Sequence, residues 1–184
     1  MFREKLIIAG FGGQGVLRAG QIIAHAGLNE GKEVSWLPSY GAEMRGGTAN
    51  CSVIISETEI PFPVIENPDF CIVMNTASLE KFEGLVKTNG VLFLNESIIS
   101  QRVERTDIKA YYIPADSIAE EENNPYGANM VLMGAYIAVS GSVSVDSICK
   151  VIEESFTGTK AGFVKPNQKL VIRGYDFMND YITK

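Results

Sequence analysis

The sequence, 184 residues long, is poor in the groups that make a self-contained active site. It holds one histidine, His25, and three scattered cysteines, Cys51, Cys71 and Cys149, none in a C-x-x-C pair. An odd, unpaired set gives no disulfide framework, and it argues against a zinc or iron–sulfur site built by this chain alone. Cys51 and Cys71 fall inside apolar strand patterns, where a reduced cysteine packs as a small hydrophobe. Cations are also in deficit: 16 Lys and Arg against 22 Asp and Glu leave a formal charge of −6. Phosphate-backbone binding needs the reverse balance, so nucleic acid is not an expected partner. No run approaches the roughly 20 apolar residues of a membrane span. Met1-Phe2-Arg3-Glu4-Lys5 enters a strand at once without a secretory pattern, so the expected location is cytoplasmic. Neither repeats nor low-complexity linkers break the chain, and residues 1–184 read as a single domain able to bury its own core.

What is present alternates between strand and helix. Lys5 to Ala9 is an apolar run that stops at glycine, as a buried parallel strand does. Val16, Ala19, Ile23 and Ala26 then recur at helical spacing, with Gly27 and Gly31 marking the helix's end region. Val34 to Leu37 is a second strand, expected to stop at Pro38. Ser39 to Gly47 is too glycine-rich for regular structure. Ala49, Cys51, Val53 and Ile55 next alternate with Thr48, Asn50, Ser52 and Ile54, a strand with unlike faces. Glu57-Thr58-Glu59 is expected to turn it into a hairpin with Ile60-Pro61-Phe62-Pro63 at a sheet edge. Strands at 69–74, 91–94 and 110–113 and helices at 77–86, 116–120, 128–139, up to about 156, and 166–178 complete the pattern, with Ser142 and Ser144 as candidate N-caps. The helix at 128–139 is apolar all round and must be covered by its own domain or by a partner subunit. The fold class is α/β: a Rossmann-like, doubly wound, mostly parallel sheet with helices on both faces and an added antiparallel hairpin.

Two motifs carry the chemistry. Gly10-Phe11-Gly12-Gly13-Gln14-Gly15 satisfies G-x-G-x-x-G between a strand and a helix. There, missing side chains let backbone N–H groups and a helix N-terminus approach a phosphate or carboxylate. The plain alternative is a tight turn that needs glycine only for its backbone angles. A dinucleotide site also needs an acid at the end of the second strand to hold a ribose. Here that strand ends Trp36-Leu37-Pro38-Ser39, without one. No lysine follows the glycines, so the turn is not a nucleoside-triphosphate P-loop. The second motif is Pro38-Ser39-Tyr40-Gly41-Ala42-Glu43-Met44-Arg45-Gly46-Gly47, leaving the strand edge where open α/β sheets bind ligands. Arg45 offers a planar fork to a carboxylate or phosphate; alternatively it pairs with Glu43 and stiffens the loop. His25 reads as a surface residue, and Asp116 with Glu120 to Glu122 as a solvated helix face.

These two motifs, with Ile113-Pro114-Ala115-Asp116, Asn123-Asn124-Pro125 and Asn129-Met130-Val131 after them, resemble the gamma subunit of 2-oxoacid:ferredoxin oxidoreductases over nearly the whole chain. The resemblance implies a role in a larger enzyme that oxidatively decarboxylates a 2-oxoacid with coenzyme A, giving acyl-CoA, carbon dioxide and reduced ferredoxin. It implies thiamine diphosphate, Mg, iron–sulfur clusters and coenzyme A for the complex, with none tightly bound by this chain. Its implied partners are alpha and beta subunits, a ferredoxin-like delta subunit as an optional fourth, and ferredoxin; self-association stays open. The implied binding residues are Gly10, Gly12, Gly13, Gln14, Gly15, Tyr40, Gly41, Glu43, Arg45, Gly46 and Gly47, with no catalytic residue. Phe11 and Gly13, where pyruvate-type members often carry arginine and alanine, lean toward the 2-oxoglutarate or branched-chain (2-ketoisovalerate) type. Two alternatives remain: a free-standing nucleotide- or CoA-binding module, and the small subunit of an indolepyruvate oxidoreductase.

Overall fold

A computed structural model describes residues 2–40 and 48–183. Six strands, β1 (Arg3–Phe11), β2 (Glu33–Tyr40), β3 (Thr48–Ser56), β4 (Phe70–Val73), β5 (Val91–Asn95) and β6 (Lys109–Ile113), form one sheet in the order β2-β3-β1-β4-β5-β6. The β1–β4, β4–β5 and β5–β6 pairs are parallel, and β3 alone runs against its neighbours. The helices are α1 (Val16–Asn29), α2 (Thr76–Phe82), α3 (Ala115–Glu121), α4 (Ala128–Ser140), α5 (Val145–Ser155) and α6 (Val164–Ile182), with short 3-10 turns at Glu83–Leu85 and Gly158–Phe163.

Strand β1 shows why a continuous apolar run marks the sheet's centre. Leu6 and Ile8 join the core beneath α1 and α4, while Ile7 and Ala9 join a smaller core beneath α2. Both faces are covered from Leu6 to Ala9, and over that stretch both parities carry apolar side chains. On β3, Cys51, Val53 and Ile55 face the larger core, as the alternation predicts. Burial pushes the Cys51 thiol up to about 12 and raises that of Cys71, so both are inert packing groups.

The antiparallel hairpin is real, but its second arm is β2 and not Ile60–Pro63. Pro61 and Pro63 lack the N–H groups that a ladder needs. Strand β2 also continues through Pro38 to Tyr40, because it is the edge strand and can spare one donor. Consequently β3 lies between β1 and β2, which would be neighbours in a simple βαβ unit.

The apolar helix α4 is covered by its own domain. Every residue from Ala128 to Ile137 is buried, chiefly against α6, so this helix offers no face for self-association. A Cβ at Gly134 would overlap the Val171 carbonyl, and one at Gly174 the Val131 carbonyl, so these two glycines set the close approach of α4 and α6. Ser144 caps α5 by accepting the Ser147 N–H, whereas Ser142 is buried in a hydroxyl cluster with Tyr136. The acidic stretch is less solvated than expected, because Glu121 and Glu122 pair with Arg173 and Lys169 on α6.

Candidate functional site

The order of the sheet creates a crevice at the C-terminal ends of β1 and β4. After β1 the chain runs to α1 on one face, and after β4 to α2 on the other. Such a switch point is where open α/β sheets bind ligands. Gly10 to Gly15 lies there. A Cβ at Gly10 would come within 2.9 Å of Val16 Cγ2 and 3.1 Å of Met74 Cβ, so only glycine lets β1 pass into the turn. Gly13 and Gly15 have φ of 102° and 74°, the left-handed region where side chains are strained.

Gln14 is a bracket across the crevice. Its Oε1 accepts the Phe11 N–H at 2.7 Å and Asn75 Nδ2 at 3.2 Å, and its Nε2 donates to the Met74 carbonyl at 3.2 Å. Asn75 in turn caps α2 by accepting the Ser78 N–H at 2.8 Å. One carboxamide therefore ties the glycine turn to the start of the opposite-face helix. The far wall is Asn129 in the first turn of α4, whose Nδ2 donates to the Gly15 carbonyl at 3.2 Å. Asn75 was not singled out in the sequence, and Asn129 only as part of Asn129-Met130-Val131; neither bracing contact was visible there, since the partners lie 61 and 114 residues away.

The start of α1 is suited to negative charge without a lysine. No side chain caps α1, and its first turn holds no acid. Among the described residues the N–H groups of Gly13, Gly15, Val16 and Leu17 have no acceptor. Arg18 stands in that same turn, its guanidinium 5.3 Å from the centre of the Phe156 ring, and it makes no ion pair among the described residues. A cation at a helix N-terminus opposes the helix dipole, a cost that an arriving anion offsets. That misplaced charge was the available sequence signal for Arg18.

The second motif is fastened to the first at both ends. Tyr40 closes β2 opposite Ala49, Ala49 also faces Gly10, and Thr48 faces Phe11. Gly41, Glu43, Arg45, Gly46 and Gly47 lie outside the described residues. Behind the site, buried Asn95 at the end of β5 donates to Asp116 at 2.6 Å, and its Oδ1 has no partner among the described residues. Asn124 is bound to Asn167 at 3.0 Å. His25 is exposed on α1, away from any nucleophile pairing. Among the described residues no cluster of three or more His, Cys, Asp or Glu is placed to hold a metal, and no helix is long and apolar enough to cross a membrane.

Comparison with known proteins places this geometry. Residues 5–177 match the family described as pyruvate ferredoxin/flavodoxin oxidoreductase. The ketoisovalerate oxidoreductase subunit VorA of Methanothermobacter marburgensis is 35% identical over 178 residues, which is 96% of this chain and 37% of that relative. The chain thus spans little more than a third of the length of VorA. The 2-oxoglutarate synthase subunit KorC of Methanocaldococcus jannaschii is 33% identical over 95% of this chain and 93% of its own. A 2-oxoglutarate:ferredoxin oxidoreductase from Magnetococcus marinus, solved with 2-oxoglutarate, coenzyme A and succinyl-CoA bound, shares the fold with a TM-score of 0.88, 21% identity, and coverage of 98% of this chain and 32% of that one. The glycine turn, the strand order around it and these relatives agree, and the chain belongs to the pyruvate ferredoxin/flavodoxin oxidoreductase family.

Proposed function

We propose that this chain is the gamma-type component of a 2-oxoacid:ferredoxin oxidoreductase, and that its glycine turn and Arg45 loop form an anion cradle for a phosphate of coenzyme A. The reaction joins a 2-oxoacid, with 2-oxoglutarate favoured, to coenzyme A; carbon dioxide leaves, and two electrons pass to ferredoxin. The observation that carries this reading is the N-terminus of α1: N–H groups without a partner among the described residues, no acid in the first turn and a cation, Arg18, within that turn. Those donors fit an anion and repel a cation. They also fit the absence of a ribose-binding acid on β2, whose described end reads Pro38-Ser39-Tyr40.

The chain's own residues do the positioning. Gln14 and Asn129 hold the turn rigid from two sides, so the cradle binds without first being ordered. Arg45, in the segment between Tyr40 and Thr48, is the side-chain cation that this reading assigns to the same anion. Thiamine diphosphate, with its Mg, supplies carbanion chemistry, and the iron–sulfur clusters electron transfer, on the alpha, beta or delta subunits. VorA and KorC are named for different oxoacids; Phe11 and Gly13 support the 2-oxoglutarate or branched-chain type over the pyruvate type, and 2-oxoglutarate is favoured within that pair.

The test is reconstitution. Partner subunits combined with this chain should reduce ferredoxin in the presence of a 2-oxoacid and coenzyme A. Full activity without the chain would sink the reading. Tight binding of a nucleotide by the isolated chain, with no partner recovered, would favour a free-standing module instead.

A further inference from the structure

At the edge of the sheet opposite the glycine turn, the N-terminal ends of β1, β4 and β5 open onto a trough of about 690 Å³ lined by Arg3, Lys5, Lys87 and Arg105 together with Asn67 and Asp69. It runs into a second cleft of about 490 Å³ that shares Arg3, Asp69 and Lys87. In a chain of net charge −6 this is a concentration of the scarcer sign. Lys87 is paired with Asp69 at 2.9 Å, and Arg105 with Asp107. Arg3 donates to the Glu59 carbonyl at 2.7 Å, and Lys5 makes no side-chain hydrogen bond among the described residues. Neither Arg3 nor Lys5 has a carboxylate partner among the described residues.

We infer that this trough is a docking surface for a carboxylate-bearing segment of a partner subunit, received by Arg3 and Lys5. The inference rests on the reading of the chain as a component of a larger enzyme. A small phosphate ligand fits the trough poorly, because four of the backbone donors around it are already used. The Lys5 N–H goes to Asp69, that of Lys87 to the Pro68 carbonyl, that of Asn89 to the Asp107 carbonyl, and that of Arg105 to Glu83. Phosphate sites in α/β folds rely on such N–H groups. Here the free charge is on side-chain cations with flexible stems, spread along an open channel, which matches separated carboxylates on a protein chain. Elsewhere the acidic surface repels such a partner, so the trough also selects its orientation.

The test uses the full chain and its co-expressed partner subunits. The double variant R3E/K5E should associate with the partners at least ~10-fold more slowly at low salt, with the difference shrinking toward 0.5 M salt, roughly as screening predicts. The control K160E/K165E reverses two exposed charges elsewhere and should associate as the parent does. The neutral variant R3Q/K5Q should fall between, which guards against a misfolded charge reversal, and melting curves check each fold. In the parent complex, zero-length carbodiimide coupling should join Lys5 to an Asp or Glu of a partner. Association of both double variants at the parent rate, or coupling of Lys5 only within its own chain, overturns the inference while leaving the subunit reading intact. Saturable binding of inorganic pyrophosphate to the parent, lost in R3Q/K5Q, overturns it in favour of a small anion. Failure of the parent itself to assemble removes the subunit reading, and this inference with it.

Discussion

Gly15 carries more than one duty. Its φ of 74° favours glycine, and a Cβ there would strike the Asn129 side chain that holds its carbonyl. Gly15→Ala should therefore cost about 1–2 kcal/mol from the left-handed backbone alone, with the displaced Asn129 adding to it. Chemical denaturation reads the stability, and the loss should be matched by weaker coenzyme A binding in the reconstituted complex. Arg45→Ala separates the two effects. Under the proposed cradle it should raise the KM for coenzyme A roughly ten-fold, the loss of a charge-assisted hydrogen bond, with the melting temperature unchanged. A fall in melting temperature at constant KM would make Arg45 a loop-stiffening partner of Glu43.

At the scale of elements, the contact of α4 with α6 is the most demanding in the molecule. Gly134 and Gly174 bring the two backbones together, and neither has room for a methyl group. Gly134→Ala should overpack this seam, at a cost of about 1–3 kcal/mol or more, and lower the melting temperature by several degrees. An unchanged melting curve would show that the helices can slide apart freely. The helices themselves were legible in the sequence because their spacing is local: α4 announced its burial by having no polar face. Pairings were not. The alternation on β3 reveals its two faces but not its neighbours, and Pro38 and Pro61 look alike until strand order shows which strand sits at an edge. Likewise the glycine turn was visible from its own six residues. Gln14 read as a ligand contact, because Met74 and Asn75, which occupy its amide, come from the other side of the crevice.

The whole molecule is joined at its lower edge by a buried polar cluster. Glu4 at the start of β1 accepts from Tyr136 on α4, whose hydroxyl also meets Ser142 at 2.8 Å. A cation borders the cluster: Lys32 binds the Ser142 carbonyl and pairs with Glu30 at 2.8 Å. Burial pushes the Glu4 carboxyl from its ordinary 4.5 up to about 7, against the opposing pull of hydrogen bonds from Tyr136 and Ser142; the nearby Asp69 raises it further and Lys32 lowers it. The folded state thus holds the proton more tightly than the unfolded chain. This contribution is fully present below pH 4.5 and is lost as pH rises through about 7, a span worth roughly 3 kcal/mol. Glu4→Gln, neutral throughout, should flatten the pH dependence of the melting temperature between pH 5 and 7.5. A variant that keeps the parent slope would assign that slope to other groups.

Because β2 and β3 are antiparallel neighbours, with Tyr40 directly opposite Ala49, the segment between them is topologically a hairpin connection. Its length is therefore free of any crossover requirement, and a two-residue Asn-Gly turn is enough to close the same pair. Replacing residues 41–48 by Asn-Gly, which trims only Thr48 from the end of β3, should give a chain that folds with its strand order kept but supports no turnover. The segment is then an interchangeable cassette on a constant chassis, and grafting the corresponding stretch from KorC or VorA should transfer whatever oxoacid preference it encodes without rebuilding the core.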